Sequence, residues 1–261
     1  MKTVIHAGVW NTDTDPERLA RVAAAAADAG FEGLALPLRD PVLMQPAALA
    51  KIFEHTGLEA LGTVGLPPGA DVSSPEADQR SRGEAHLTQV IEVARDIGIV
   101  QLGGVFYAPL GHAPAPAAND ARRRSAEVMA RVADKAAASG IRLCVEIVNR
   151  YETALLNTVE QGLSYLEMVS HPNVKLHLDT YHLAIEERDP AAAAHAALPV
   201  LGYFELDQSH RGCLDEGALD LRAMAAPVAR AVYDGFVGVE AFSRSRLAPG
   251  HAGAGDMARS L

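Results

Sequence analysis

Four acidic residues in the second half of the chain each lie at or beside the end of an apolar run: Glu146 in CVEIVNR, Asp179 in LHLDTYH, Glu205 in YFELDQSH and Glu240 in GVEAF. A lone acid after such a run is often only the first solvated residue of a turn. Four in succession at equivalent positions point to binding, because converging carboxylates repel one another unless a cation lies among them. The chemistry expected of such a cluster is the holding of a divalent metal over a small polyol-type substrate.

Neighbouring residues extend the cluster. His182 lies three residues beyond Asp179, Glu152 six beyond Glu146, and His210 and Arg211 five and six beyond Glu205. Each pair can face one cavity if the strand gives way to a loop or helix that folds back. His177 precedes Asp179 by two residues and so points inward one layer deeper, as a barrel-core residue. Glu186 and Glu187 read as a solvated or helix-supporting pair.

These acids need elements to hold them. Short apolar β-type runs at 3–7, 33–36, 59–64, 99–103, 142–147, 174–178, 200–205 and 236–240 alternate with helical patterns such as 15–29 and 119–138. Gly30, Gly57, Gly98 and Gly140 mark helix ends. Eight βα units predict an α/β chain closed into a (β/α)8 barrel, with its site at the C-terminal strand ends. No linker interrupts the alternation, so residues 1–261 form one expected domain. No G-x-G-x-x-G follows the first strand, which argues against a dinucleotide fold. Beyond Glu240 the tail shows little helical periodicity, so the final helix is expected to be short, displaced or missing, leaving a flank for a partner subunit.

Composition narrows the partners. A net charge of −10 and a pI near 5.4 argue against a nucleic-acid groove. The one basic run, Arg122-Arg123-Arg124, opens a predicted helix and reads as a solvated face. No run of about eighteen apolar residues is present to cross a membrane. The N-terminus turns polar at Asn11, unlike a signal peptide, and a cytoplasmic location is expected. Cys144 and Cys213 form no disulfide or zinc pattern and are expected to be reduced thiols.

The segments VEIVNRYET, LDTYHLAIEE, SHRG and VEAF, with DVSSPEADQRSRG and LGGVFYAPLG after the third and fourth strands, resemble the D-tagatose 3-epimerase group of the xylose-isomerase-like barrels. That resemblance implies an isomerase acting on a free ketose at C3 through an enediolate, with Mn2+, or else Mg2+ or Co2+, as cofactor. It implies that Glu146 and Glu240 bind the metal and exchange the substrate proton, that Asp179 is a ligand, and that Glu152, His182 and Arg211 bind substrate oxygens. A dimer or tetramer is the form it implies.

Three positions depart from the pattern. Glu205 stands where the group has a histidine ligand; either Glu205 binds the metal, giving an all-oxygen site suited to hard ions, or His210 substitutes for it. We read Glu205 as the ligand, since it ends the strand. Ala35 replaces a glutamate, with an expected change in the mouth, and the short tail is the third departure. Aldose–ketose or hydroxypyruvate-type isomerisation would use nearly the same parts, and a non-catalytic or altered-chemistry metal-binding barrel is the alternative of another class. A nuclease of the endonuclease IV type shares the barrel but needs more histidines and a basic surface. Trp10, Thr63, Phe106 and Tyr107 are the expected readers of the sugar's shape.

Overall fold

The computed structural model describes residues 1–10, 14–111 and 118–241. Eight strands, β1 (Lys2–His6), β2 (Gly33–Pro37), β3 (Glu59–Thr63), β4 (Gln101–Gly104), β5 (Arg142–Ile147), β6 (Val174–Asp179), β7 (Leu201–Leu206) and β8 (Phe236–Val239), pair in parallel and in chain order into a closed barrel. Closure is made by β1 against β8, with Val4 opposite Gly238. The strands are buried on both faces, which is why they read as continuous apolar runs and not as alternating ones.

The helices are α1 (Pro16–Asp28), α2 (Pro46–Thr56), α3 (Ala77–Ile97), α4 (Asn119–Ala138), α5 (Val159–Val169), α6 (Thr180–Glu186), α7 (Pro190–Ala197) and α8 (Leu221–Arg230). Helix α1 starts where Asp15 accepts a hydrogen bond from the Arg18 amide and Pro16 fills the first turn, and it buries Leu19, Val22, Ala23 and Ala26, one face at helical spacing. Both α2 and α3 stop at a glycine in the left-handed region, Gly57 and Gly98, a conformation that needs no side chain. The expected boundaries of β5 and α4 coincide with the observed ones, while other strand ends move by a residue or two. The expectation about the final helix falls on residues 242–261, outside the described residues.

Inside the barrel, large and small residues alternate. The His177 and Tyr203 rings lie 4.5 Å apart, and a Cβ on Gly103 would meet His177 Nδ1 at 3.2 Å. A Cβ on Gly238 would overlap the Tyr203 hydroxyl. Ala35, expected to alter the mouth, instead packs in this interior with Val4, Leu61, Cys144, Tyr203 and Phe236. It lies two residues short of the end of β2, where Pro37 and Arg39 face the mouth.

Candidate metal and substrate site

Strand register decides which acids meet. Asp179 ends β6 level with Glu205 on β7, while Glu240 follows β8 with its amide bonded to the Leu206 carbonyl, one residue from Asp207. Asp179 also caps α6: one oxygen accepts from the Tyr181 amide at 2.7 Å, and the other, Oδ2, is buried without a hydrogen-bond partner. Asp207 is locked by its backbone, whose amide and carbonyl both bond the Thr180 hydroxyl at 2.8 Å. Its Oδ1 is likewise buried and unpartnered.

Ligand atoms of Asp179, Asp207 and Glu240 lie within 4.8 Å of one another, and so do those of Glu146, Asp179 and His182. Asp179 belongs to both groups, so Glu146 on β5 and Glu240 after β8 each come close to it from different strands. Burial raises the carboxyl pKa of Asp179, Glu240 and Glu146, and lifts that of Asp207 to about 7, against the lowering effect of Arg211. Two orphaned buried oxygens among crowded, destabilised carboxylates fit a hard divalent cation.

Arg211 supplies the nearest protein cation. Its backbone adopts a positive φ of 53°, and its guanidinium binds Asp207 Oδ2 at 2.6 Å, pairs with Glu240, and lies 3.6 Å from Asp179 Oδ2 and 3.9 Å from Glu152. It also stacks over the Tyr181 ring at 4.6 Å. Although burial disfavours its charge, Glu240, Asp207 and Asp179 more than restore it.

Glu205 is placed differently. Its two oxygens meet His177 Nε2 at 3.0 Å and the Tyr203 hydroxyl at 2.9 Å, and neither belongs to the clustered ligand atoms. Burial opposes the Glu205 charge, but the bond from His177 outweighs it and holds the carboxyl pKa low. The His177 pKa is raised, Glu146 and Glu205 together outweighing burial. His177 is therefore in the barrel core, as its position in the strand predicts, and it links Glu205 to Glu146, 3.7 Å from its Nδ1. His210 is exposed, its ring lying against Gly212.

The tautomer of His182 follows from its partners. Nδ1 accepts the Asn149 amide at 3.2 Å, so in the neutral ring the proton sits on Nε2, 3.5 Å from Glu146 and 3.9 Å from Asp179. Burial, aided by Arg211, lowers the His182 pKa to about 3. Such a ring donates a hydrogen bond and offers no lone pair at Nε2, which separates its role from that of the carboxylates. The Asn149 side chain also donates to Glu152 at 2.9 Å, tying the two together. Glu186 and Glu187, read from sequence as a solvated or supporting pair, are structural: Glu186 is bidentate to Arg150, and Glu187 accepts from the Val159 amide at the start of α5.

These groups border a cavity of about 350 Å³ lined by His6, Arg39, Thr63, Leu110, Glu146, Glu152, His182, Arg211 and Glu240, among others. That volume suits a single small ligand. Of the four expected shape readers, Thr63 lines it; Phe106 and Tyr107 are fully buried, and Trp10 packs on the core. Tyr107 instead donates to the Glu146 carbonyl at 2.7 Å. Sequence reasoning missed His6, Arg39, Asn149 and Asp207. Only Asp207 carried a signal, lying two residues beyond Glu205 and so on the same side of the chain.

Carboxylates gathered at neighbouring C-terminal strand ends of a closed parallel barrel lie where (β/α)8 barrels build their sites. A family profile described as xylose isomerase-like TIM barrel matches residues 23–261, and the chain belongs to that family. It is 36% identical to an L-ribulose 3-epimerase of Methylomonas sp. over 94% of this chain and 85% of the relative. It is 35% identical to a ketose 3-epimerase of Arthrobacter globiformis over 95% and 86%. Among solved structures, a D-allulose 3-epimerase from Methylomonas sp. in complex with D-allulose superposes with a TM-score of 0.94, at 34% identity, covering 100% of this chain and 94% of that one. Among the described residues, no helix is long and apolar enough to cross a membrane.

Proposed function

We propose that the chain is an isomerase of the ketose 3-epimerase type, inverting C3 of a free sugar with the aid of a divalent ion. The observation that carries this reading is that Glu146 and Glu240, from separate strands, each lie close to the buried Asp179 and together line a cavity sized for one monosaccharide. The 3-epimerases among its relatives support it.

Asp179, Glu146 and Glu240 would hold the ion, with the fourth position supplied from the segment at the end of β7. Bound there, a divalent ion supplies Lewis acidity toward the C2 carbonyl and adjacent hydroxyl oxygen, making the C3 proton easier to remove. One of the two glutamates takes that proton and the other returns one from the opposite face, through an enediolate. Burial raises the basicity of both carboxylates, as a proton acceptor needs. His182 Nε2–H and Arg211 donate to substrate oxygens and steady the developing charge. The tether from Asn149 holds His182 and Glu152 in one orientation.

An oxygen-rich donor set favours Mn2+ or Mg2+ over softer ions. Exposed Val42, Leu43, Leu110 and Tyr151, on the loops after β2, β4 and β5, support the homo-oligomer expected from the sequence; sedimentation of the purified protein reads it. The activity is tested by incubating a panel of ketoses with enzyme and Mn2+ and following products by NMR. C3 epimers are expected. Aldoses as the sole products would replace the epimerase reading by an isomerase one.

A further inference from the structure

The resemblance predicts the fourth ligand at position 205, yet there the glutamate has both oxygens engaged, by His177 and Tyr203 at 3.0 and 2.9 Å. Drawing it to the mouth would leave a buried imidazole and a buried phenol without their acceptor, which costs the desolvation of both. Two residues later, Asp207 is fully buried at the level of Glu240, with one oxygen bonded to Arg211 and the other unpartnered.

We propose that Asp207, not Glu205 or His210, completes the divalent-ion site, and that Glu205 is instead a positioning residue that fixes His177 beneath Glu146. The inference rests on the reading of the mouth as an ion centre. Three features carry it. The ligand atoms of Asp207, Asp179 and Glu240 are mutually within 4.8 Å. Asp207 Oδ1 and Asp179 Oδ2 are buried and accept no hydrogen bond, with Arg211 3.6 Å from the latter. Arg211 Nε grips Asp207 Oδ2 at 2.6 Å, which orients the carboxylate and leaves Oδ1 for the ion, as an outer partner commonly does for a metal ligand. The site so built has only carboxylate donors from the protein. It therefore selects hard ions more strongly than a centre containing an imidazole.

The test is a calorimetric titration of Mn2+ into chelator-stripped protein, comparing wild type with Asp207→Asn and Glu205→Gln, with folding checked by circular dichroism. Asp207→Asn is expected to weaken Mn2+ binding by about 10–100-fold or more, the range set by loss of a lesser, outer-shell partner. Glu205→Gln is expected to stay within a few-fold of wild type. Asp207→His should still bind, with its preference moved from Mn2+ toward Zn2+, and this variant decides the matter if Asp207→Asn does not fold. The proposal is overturned if Glu205→Gln loses Mn2+ while Asp207→Asn keeps it, if Asp207→His leaves the Mn2+/Zn2+ preference unchanged, or if wild type binds no divalent ion. Epimerisation at C3 is scored separately: a wild type that epimerises, with Asp207→Asn binding Mn2+ as tightly, defeats this inference alone.

Discussion

His177 Nε2 lies 3.0 Å from Glu205 Oε2 inside the barrel, with both side chains about 1% exposed. Two ionisable groups this deep depend on each other. Replacing His177 by Ala leaves the Glu205 carboxylate with Tyr203 as its one hydrogen-bond partner among the described residues, and should cost about 3–5 kcal/mol of stability, the usual penalty for orphaning one member of a buried pair. Urea unfolding of the variant measures it; a loss below about 1 kcal/mol would show that the pair is not held in this form.

The same interior has no room opposite Tyr203. Because a Cβ at Gly238 would overlap the Tyr203 hydroxyl, Gly238→Ala should destabilise by about 1–3 kcal/mol through overpacking. Removing the hydroxyl relieves the closest of these contacts, although the Tyr203 ring carbons would still lie 2.5 and 2.8 Å from the added Cβ, so the double variant Gly238→Ala/Tyr203→Phe should recover part of that loss beyond the sum of the single effects. Additive single and double variants would contradict the packing described.

Much of this was legible in the sequence, and the reasons are specific. β5 and α4 announce themselves by a largely apolar run and a long helical period, and Glu146, Asp179 and Glu240 by lying at or beside the ends of such runs. What was not legible depends on contacts between distant strands. Glu205 ends its run as the others do, but whether it faces the mouth or the core turns on His177, 28 residues earlier, and on the room left by Gly103 and Gly238. Phe106 and Tyr107 follow a strand like site residues, yet they pack inward, where Tyr107 reaches the Glu146 carbonyl.

Stability without metal should depend on pH in a defined direction. Burial raises the Asp207 pKa to about 7, above the value of about 4 it has in the unfolded chain, so its protonated form is favoured by folding. That contribution is fully present below about pH 4 and is lost as pH rises through about 7. Asp179, Glu146 and Glu240 shift the same way. Chelator-treated protein should therefore melt at a lower temperature at pH 8 than at pH 6, and added Mn2+ should reverse the loss by taking the place of the protons. A melting temperature that is flat across this window without metal would contradict the crowding of these carboxylates.

His182 should not titrate near neutrality. With its pKa lowered to about 3 by burial, and Nδ1 accepting from the Asn149 amide, the ring should remain neutral and protonated on Nε2 from pH 5 to 8. Nitrogen-15 chemical shifts of labelled histidine report both properties. A shift titrating between pH 6 and 7, or an Nδ1–H tautomer, would remove His182 as a fixed hydrogen-bond donor.

The central claim is that Glu146 and Glu240 exchange the substrate's C3 proton from opposite sides of one centre. It is tested most directly by proton NMR of a ketose substrate incubated in D2O with Mn2+ and wild type, Glu146→Gln or Glu240→Gln. Wild type should place solvent deuterium at C3 in both epimers, and each variant should lose epimerisation by about 10²-fold or more, the scale of removing a general acid–base group. Epimerisation without deuterium at C3, or an unchanged rate in either variant, would contradict it.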